Sequence, residues 1–253
     1  MNKIVLITGA TSGFGKAIAM KFAENGNAMI ITGRRKDRLD KIANEICDQF
    51  KVSVLPLCFD VRKKEECENA IGSLDAKWKK IDVLVNNAGL AAGLNPIHEG
   101  VIDDWERMID TNVKGLLYMT RVISPLMVER RQGHIINIGS IAGKEVYPNG
   151  NVYCGSKFAV DAITKGMRID LLAYNIKVTQ ITPGAAETEF SIVRFKGDQQ
   201  RADNVYKGFT PLNATDVADA VFYVTTLPEH VNVNDLVLMP AAQASSMHFN
   251  KNL

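Results

Sequence analysis

The 253-residue sequence predicts a doubly wound α/β fold, with about seven parallel strands and helices on both faces of the sheet. Three observations support this fold class. Short apolar, β-branched runs alternate with longer segments of helical periodicity. The short runs are almost continuously apolar, as expected of parallel strands that are covered on both faces. No repeat, low-complexity tract or Pro/Gly-rich linker interrupts the pattern, so residues 1–253 are expected to form one domain.

The predicted elements follow one another in regular order. The strands are short β-branched runs, namely Ile4–Thr8, Ala28–Thr32, Val52–Leu57, Val83–Asn86, His134–Ile138, Lys177–Thr182 and Leu236–Met239. The helices are the longer segments between them, namely Lys16–Asn25, Lys36–Phe50, Lys63–Trp78, Trp105–Glu129, Val152–Tyr174 and Ala214–Thr226. Segment 185–211 breaks this rhythm because it is polar, glycine-bearing and weakly periodic. Its place after a strand predicts a substrate loop or lid.

The composition limits the classes of partner. The chain has 30 Lys and Arg against 28 Asp and Glu, a net charge of +2. Because the basic residues are scattered, neither a nucleic-acid nor a membrane surface is expected. The cysteines, Cys47, Cys58, Cys67 and Cys154, lack metal-type and disulfide-type spacing, which favours reduced thiols in the cytoplasm and no metal site. The apolar start of the chain is too short for a signal peptide or a membrane span.

A glycine-rich turn follows the first predicted strand. Thr8–Gly15 reads TGATSGFG and opens directly onto a helix. Glycines at such a turn let the backbone approach a pyrophosphate, whose charge the helix amino terminus stabilises. The alternative is an ordinary tight turn, but a strand before it and a helix after it favour nucleotide binding. The candidate cofactor-binding residues here are Gly9, Thr11, Ser12, Gly13, Phe14 and Gly15.

The end of the second predicted strand bears on the type of nucleotide. NAD sites usually carry an acidic residue here that accepts bonds from the ribose 2′-hydroxyl, whereas NADP sites use arginine for the 2′-phosphate. This strand ends in Arg34 and Arg35, and Asp37 lies further on, where it could equally cap the next helix. The sequence therefore favours NADP over NAD, the alternative being that both arginines are solvated loop charges.

Tyr153 and Lys157 form the most informative pair in the chain. Residues four apart lie one above the other on a helix face, so a phenol and an ammonium are expected to be neighbours. A nearby positive charge favours phenolate and lowers the pKa of a tyrosine from about 10 toward the working pH of a general acid or base. Taken alone, the pair is more often a surface contact.

These motifs together resemble the short-chain dehydrogenase/reductase family, whose domain is a Rossmann-like fold. The similarity covers nearly the whole chain. It includes the glycine turn, Asp60-Val61, Asn86–Gly89, Asn112, Ile138–Ser140, Tyr153–Lys157 and Pro183-Gly184. The resemblance implies that the cofactor lies across the carboxyl ends of the strands, bound by the turn and by Asp60, Val61, Asn87, Ala88, Gly89, Pro183, Gly184 and Thr188. In isolation, Asp60 could instead cap a turn, and Asn86–Gly89 could be a simple loop.

The resemblance also assigns the chemistry. It implies that Ser140 hydrogen-bonds the substrate oxygen and that Tyr153 passes a proton to or from it. Lys157 would lower the pKa of Tyr153 and hold the nicotinamide ribose, and Asn112 would complete a proton relay through water. Donors aimed at a developing alkoxide stabilise the transition state more than the ground state. The structural alternatives are a turn residue at Ser140 and a helix-bending residue at Asn112.

The later part of the chain resembles one branch of this family. Thr188–Asp198, Gln243–Ser245, Asn86–Ala91 and Met108–Asn112 are similar to NADP-dependent 3-hydroxy acid dehydrogenases that act on serine, allo-threonine and acids such as 3-hydroxyisobutyrate. A guanidinium can clamp the carboxylate of such substrates, and Arg194 is the candidate. A salt bridge at the surface or an interface is the equal alternative. Ala185 and Ala186 depart from the bulky aliphatics of this branch, which leaves the pocket size and lid mobility open.

Two other functions remain possible from the sequence. A 3-oxoacyl thioester reductase or broad carbonyl reductase is the alternative enzyme, but a large acyl-carrier partner would require a basic patch that the dispersed charge does not indicate. A non-catalytic NADP(H)-binding regulatory protein would be expected to lack one of Ser140, Tyr153 and Lys157.

Apolar residues on several faces of helices Trp105–Glu129 and Val152–Tyr174 predict a homo-oligomer, and the resemblance implies a tetramer.

Overall fold

The computed structural model describes residues 3–251 and contains a seven-stranded parallel sheet with strand order β3-β2-β1-β4-β5-β6-β7. Its strands are β1 Ile4–Ile7, β2 Ala28–Gly33, β3 Val54–Cys58, β4 Val83–Asn86, β5 Gly133–Ile138, β6 Ile176–Pro183 and β7 Asp235–Leu238. Each predicted strand is therefore present, with ends that differ by at most two residues. The predicted parallel sheet is confirmed.

Helices cover both faces of the sheet, as predicted. They are α1 Gly13–Glu24, α2 Lys36–Phe50, α3 Lys64–Gly72, α4 Ile102–Ile109, α5 Gly115–Arg130, α6 Asn151–Asp170, α7 Glu189–Arg194, α8 Gln199–Asn204 and α9 Ala214–Thr226. Successive strand residues point to opposite faces. In β1, Val5 and Ile7 accordingly pack with α1, α2 and α9, whereas Leu6 packs with α3, α5 and α6. Both apolar sets are fully buried, which explains the absence of polar alternation in the strands.

Two predicted helices differ from the observed ones for local reasons. The helix predicted over Lys63–Trp78 ends at Gly72, because glycine is a poor helix former and the Ser73 hydroxyl then bonds to the Ala70 carbonyl at 3.1 Å. The helix predicted over Trp105–Glu129 begins earlier, at Ile102, and contains a π-helical turn at Asp110–Lys114 between α4 and α5. Such turns often occur at functional sites. This one contains Asn112.

Segment 185–211 is more ordered than its weak periodicity predicts. It forms two six-residue helices, α7 and α8, rather than an irregular loop. Each helix is started by a side-chain cap: Thr188 accepts from the N–H of Phe190 at 3.2 Å, and Asp198 accepts from the N–H of Arg201 at 3.0 Å. Because caps rather than an apolar stripe define these helices, a search for hydrophobic periodicity misses them.

The sheet order determines where a ligand can bind. Strand β1 lies between β2 and β4, so the chain moves outward from β1 in opposite directions. Crevices at the carboxyl ends of the strands open at such a switch point. The turn after β1 and the loop after β4 meet there. Within residues 3–251, no helix has the length and apolar character needed to span a bilayer.

Candidate active site

A cleft of about 460 Å³ opens at the switch point. It brings together nearly all of the residues that the sequence analysis selected. Those lining it are Gly9, Thr11, Ser12, Gly13, Phe14, Arg34, Arg35, Asp60, Val61, Asn87, Ala88, Gly89, Ser140, Tyr153, Lys157, Pro183, Gly184, Thr188 and Arg194. Gly15 and Asn112 do not line the cleft but lie against residues that do.

The glycine turn is shaped by backbone conformation and close packing. Gly9 and Gly13 have positive φ angles of 69° and 50°, which residues with a side chain rarely adopt. A Cβ on Gly9 would lie 2.9 Å from Cα of Ala88. A Cβ on Gly15 would lie 2.6 Å from Nδ2 of Asn87 and closer still to the Gly9 carbonyl. Gly15 therefore allows α1 to pack directly against the turn, and its contact with a cofactor stays a prediction.

Thr8 fixes the two sides of the cleft relative to each other, a role that the sequence analysis missed. Its hydroxyl oxygen accepts from the backbone N–H groups of Asn87 and Ala88 at 3.0 and 2.9 Å. In return, the Asn87 side chain donates to the Thr8 carbonyl at 2.8 Å. Thr8 is buried. Its position as the first residue of the glycine turn, directly after β1, was the available signal.

Cations gather at one end of the cleft. Arg35 donates to the hydroxyl oxygens of Thr11 and Ser12 at 2.8 and 3.0 Å. Arg34 lies 3.8 Å from a carboxylate oxygen of Asp60, which is also held by Arg62 at 2.9 Å. Burial acts to raise the pKa of Asp60, but the hydrogen bonds from Arg62 outweigh it and hold the pKa below its ordinary value. Asp60 therefore stays ionised beneath the arginines.

Two further charged residues at this end were not predicted. Arg38, one turn into α2 from Arg35, contacts both carboxylate oxygens of Glu189 at 3.2 Å. Arg35 contacts the same carboxylate at 3.4 Å. The three-residue spacing of Arg35 and Arg38 places them on one side of a helix, and this spacing was the signal that could have identified Arg38.

Tyr153 and Lys157 lie at the other end of the cleft, and both are 8% exposed. Burial is the largest influence on the pKa of Tyr153 and raises it, whereas Ser140 and Arg194 act to lower it. Burial lowers the pKa of Lys157 from 10.5 to about 8. The expectation that Lys157 lowers the pKa of Tyr153 therefore needs correction. In this structure Tyr153 is a protonated phenol at neutral pH, and the Lys157 ammonium donates to the Ile138 carbonyl at 2.9 Å.

Ser140 and Asn112 occupy different kinds of position. The Ser140 hydroxyl oxygen accepts from the N–H of Ala142 at 3.1 Å, which leaves its own O–H able to donate into the cleft. Asn112 is 2% exposed and bonds both the N–H and the carbonyl of Leu90 at 2.8 Å, as well as Ser156 at 3.0 Å. Its side chain holds the loop after β4. The expected relay through water stays a prediction.

Arg194 lies against the catalytic tyrosine candidate. Its Cζ atom is 5.7 Å from the centroid of the Tyr153 ring and 5.4 Å from that of Tyr147. Its Nε donates to the Gly93 carbonyl at 3.2 Å and one terminal nitrogen donates to the Tyr147 hydroxyl at 3.0 Å. The other terminal nitrogen, Nη2, is buried and has no hydrogen-bond partner among the described residues. Arg194 thus contacts a carbonyl and a phenol rather than a carboxylate, and its role in binding a substrate carboxylate stays a prediction.

The start of segment 185–211 is held firmly despite its small side chains. The N–H of Ala185 donates to the Gln243 side chain at 2.8 Å, and its carbonyl accepts from Leu212 at 3.0 Å. Gln243 is buried. The two alanines therefore do not loosen the backbone at this point.

Comparisons with known proteins agree with this geometry. Residues 3–199 match the family described as short chain dehydrogenase. The NADP-dependent 3-hydroxy acid dehydrogenase YdfG of Salmonella typhi is 50% identical over 242 residues, covering 95% of this chain and 96% of the relative. Sulfoacetaldehyde reductase 2 of Chromohalobacter salexigens is 46% identical over 247 residues, covering 97% of each. The closed form of a serine dehydrogenase complexed with NADP+ superposes with a TM-score of 0.92, at 47% identity and 99% coverage of both chains. On this sequence match and this fold, the chain belongs to the short-chain dehydrogenase family.

Proposed function

We propose that this protein is an NADP-dependent oxidoreductase that transfers a hydride between the nicotinamide and the 3-hydroxyl carbon of a small 3-hydroxy acid. The observation that carries the proposal is the buried, unpartnered Nη2 of Arg194 beside the phenol of Tyr153. An unsatisfied buried donor on a charged group is costly unless a ligand satisfies it. A carboxylate would do so, and it would place the neighbouring carbon near the phenol.

The cleft suits a dinucleotide that carries a 2′-phosphate. Gly9 and Gly13 provide backbone that approaches a pyrophosphate closely, and the amino terminus of α1 favours its charge. Arg34 and Arg35 supply cations at the other end, together with the hydroxyls of Thr11 and Ser12. When bound, the nicotinamide of such a cofactor supplies or accepts the hydride.

Each catalytic side chain then has a definite task. Tyr153 holds its proton at neutral pH, since the ordinary pKa of a phenol is about 10 and burial raises it further. It donates that proton as negative charge develops on the substrate oxygen in reduction. In oxidation the Tyr153 oxygen takes the proton of the substrate hydroxyl as its own proton leaves to solvent, so each hydride transferred releases one proton and leaves the phenol protonated. The O–H of Ser140 donates to the same oxygen and stabilises the developing charge. The Lys157 ammonium, next to Gly89, holds the ribose side of the cofactor.

A sulfonate substrate is the second candidate. Sulfonate and carboxylate are both compact anions that a guanidinium binds through paired hydrogen bonds. The 46% identity to a sulfoacetaldehyde reductase favours testing 2-hydroxyethanesulfonate beside 3-hydroxy acids. The Arg194 site would serve either anion.

Assembly and location belong to the same proposal. Ile169 and Leu172 are 75% and 73% exposed at the end of α6, and Phe158 is 41% exposed on the same helix. This surface supports a homo-oligomer, with a tetramer as the expectation from the family.

The four cysteines are free thiols, which supports a cytoplasmic location. We also propose that residues 1–253 act as one domain in which segment 185–211 is the lid.

The test compares charged and neutral substrates in an NADP-dependent assay. Arg194→Ala should lower kcat/KM for 3-hydroxybutyrate about 100-fold, since breaking a buried charge pair typically costs 2–5 kcal/mol. It should change kcat/KM for methyl 3-hydroxybutyrate less than threefold, because the ester offers no carboxylate. Tyr153→Phe should lower kcat/KM for the acid and for the ester about 1000-fold. Arg201→Ala, which replaces an exposed arginine in the same segment, should change neither value. Equal losses for acid and ester in Arg194→Ala would remove the carboxylate clamp, and full activity of Tyr153→Phe would remove the mechanism.

A further inference from the structure

Glu189 occupies an unusual position for an acidic residue. It is the first residue of α7, and it lines the same cleft as the arginines proposed to bind the cofactor phosphate. One carboxylate oxygen lies 3.4 Å from Arg35, and both oxygens lie 3.2 Å from Arg38. All three side chains are about half exposed. The carboxylate is therefore a counter-ion supplied by the protein at its own anion site.

A 2′-phosphate bound as proposed above would need the Arg35 guanidinium that Glu189 contacts. Arg35 donates to Thr11, Ser12 and Glu189, so its guanidinium faces both the glycine turn and α7. An incoming phosphate next to Thr11 and Ser12 would lie within a few Å of the Glu189 carboxylate, and like charges at that distance repel. Either the carboxylate gives up Arg35 or the phosphate binds with its charge only partly compensated. In both cases Glu189 weakens phosphate binding.

The helix that carries Glu189 is held at its opposite end, which keeps the Glu189 backbone next to the arginines. The carbonyl of Arg194 accepts from the N–H of Gly93 at 3.0 Å. Just beyond the helix, the Lys196 ammonium lies 2.8 Å from the carboxylate of Asp104, whose side chain is 7% exposed. A tethered carboxylate has a high effective concentration at the arginines. The Glu189 carboxylate therefore competes with every phosphate that enters the site.

NAD would not experience this competition. It has a 2′-hydroxyl where NADP has the phosphate, and a carboxylate can accept a hydrogen bond from that hydroxyl. We propose that Glu189 is a specificity-determining residue that competes with the 2′-phosphate for Arg35, is held beside it by Arg38, and so reduces the preference for NADP over NAD. The inference rests on the proposed NADP dependence, but it concerns cofactor binding and not the substrate.

The experiment measures the dissociation constants of NADPH and NADH by cofactor fluorescence, without substrate. Glu189→Gln should tighten NADPH binding about three- to tenfold at low salt, the size expected for two exposed ion pairs, and change NADH binding less than twofold. At 0.5 M salt the gain should fall below twofold because of screening. Glu187→Gln is the matched control, since it removes an equal charge from an exposed site two residues away, and it should change neither constant.

The outcomes separate this inference from the proposed function. If the wild-type protein binds NADPH and Glu189→Gln binds it no more tightly, the inference is overturned and the proposed function stands. If the wild-type protein fails to bind NADPH at all, the proposed function itself fails. In a background of Arg35→Gln and Arg38→Gln, the gain from Glu189→Gln should disappear. A gain that persists there would overturn competition for the arginines.

Discussion

Replacing Lys157 with methionine isolates the cost of burying a charge at the active site. The ammonium is 8% exposed, and burial alone accounts for the fall of its pKa from 10.5 to about 8. At 1.36 kcal/mol per pH unit, this interval corresponds to about 3 kcal/mol of folding free energy. Lys157→Met removes that cost but leaves the Ile138 carbonyl without its donor, a loss of about 1–3 kcal/mol.

The sign of the pH dependence follows from the direction of the shift. Below pH 8 the Lys157 amine is charged in both the folded and unfolded chains, so folding carries the full free-energy cost of burying the ammonium. Between pH 8 and 10.5 the folded chain releases the proton while the unfolded chain still binds it. The stability of the wild-type protein relative to Lys157→Met should therefore rise by about 3 kcal/mol across this window.

Urea unfolding without cofactor, at half-unit steps from pH 7 to 10.5, measures this difference. Other tyrosines and lysines titrate in both proteins, so their effects cancel when the two free energies are subtracted. Lys80→Met, at an exposed position, is the control and should show no such rise. A difference between wild type and Lys157→Met that stays flat above pH 8 would refute the argument that burial controls the Lys157 amine. The variant should also lose activity, which would show that the charge is kept for function and not for stability.

Two further predictions concern other parts of the fold. His134 is buried against the Thr179 hydroxyl at 2.8 Å, and burial lowers its pKa from 6.5 to about 3. The unfolded chain therefore binds a proton first as the pH falls, and the wild-type protein should lose about 2 kcal/mol more than His134→Gln between pH 6.5 and 4.5 in urea unfolding. An equal loss of unfolding free energy in wild type and His134→Gln would contradict this account of the His134 pKa. Gly15→Ala should weaken NADPH binding at least tenfold and lower Tm, because the added Cβ meets the Gly9 carbonyl and forces α1 away from the turn. Gly166→Ala, whose Cβ would have no described atom within 4 Å, should leave binding unchanged, and a similar loss in both variants would exclude the packing argument.

The order and type of the strands could be predicted because they depend on local pattern. Val83–Asn86 was predicted with its observed bounds, since a β-branched run between polar segments has few alternatives. The Tyr153 and Lys157 pair also followed from sequence, because residues four apart share a face of any helix. Helix ends were less predictable. Gly72 ends α3 early, and Asp110–Lys114 form a π turn that no periodicity indicated.

The sequence by itself determined the alternation of strands and helices, the glycine turn and the identity of the candidate acid, base and anion-binding residues, because each is encoded within a few neighbouring positions. Only the tertiary structure decided how those groups behave. The pKa of Tyr153 is raised and that of Lys157 lowered because the face of α6 that carries them is buried. Arg194 met Tyr153, and Glu189 met Arg35, because α7 folds back over the cleft. Solvent exclusion and contacts between distant segments arise from the whole fold, so local sequence carries no direct record of them.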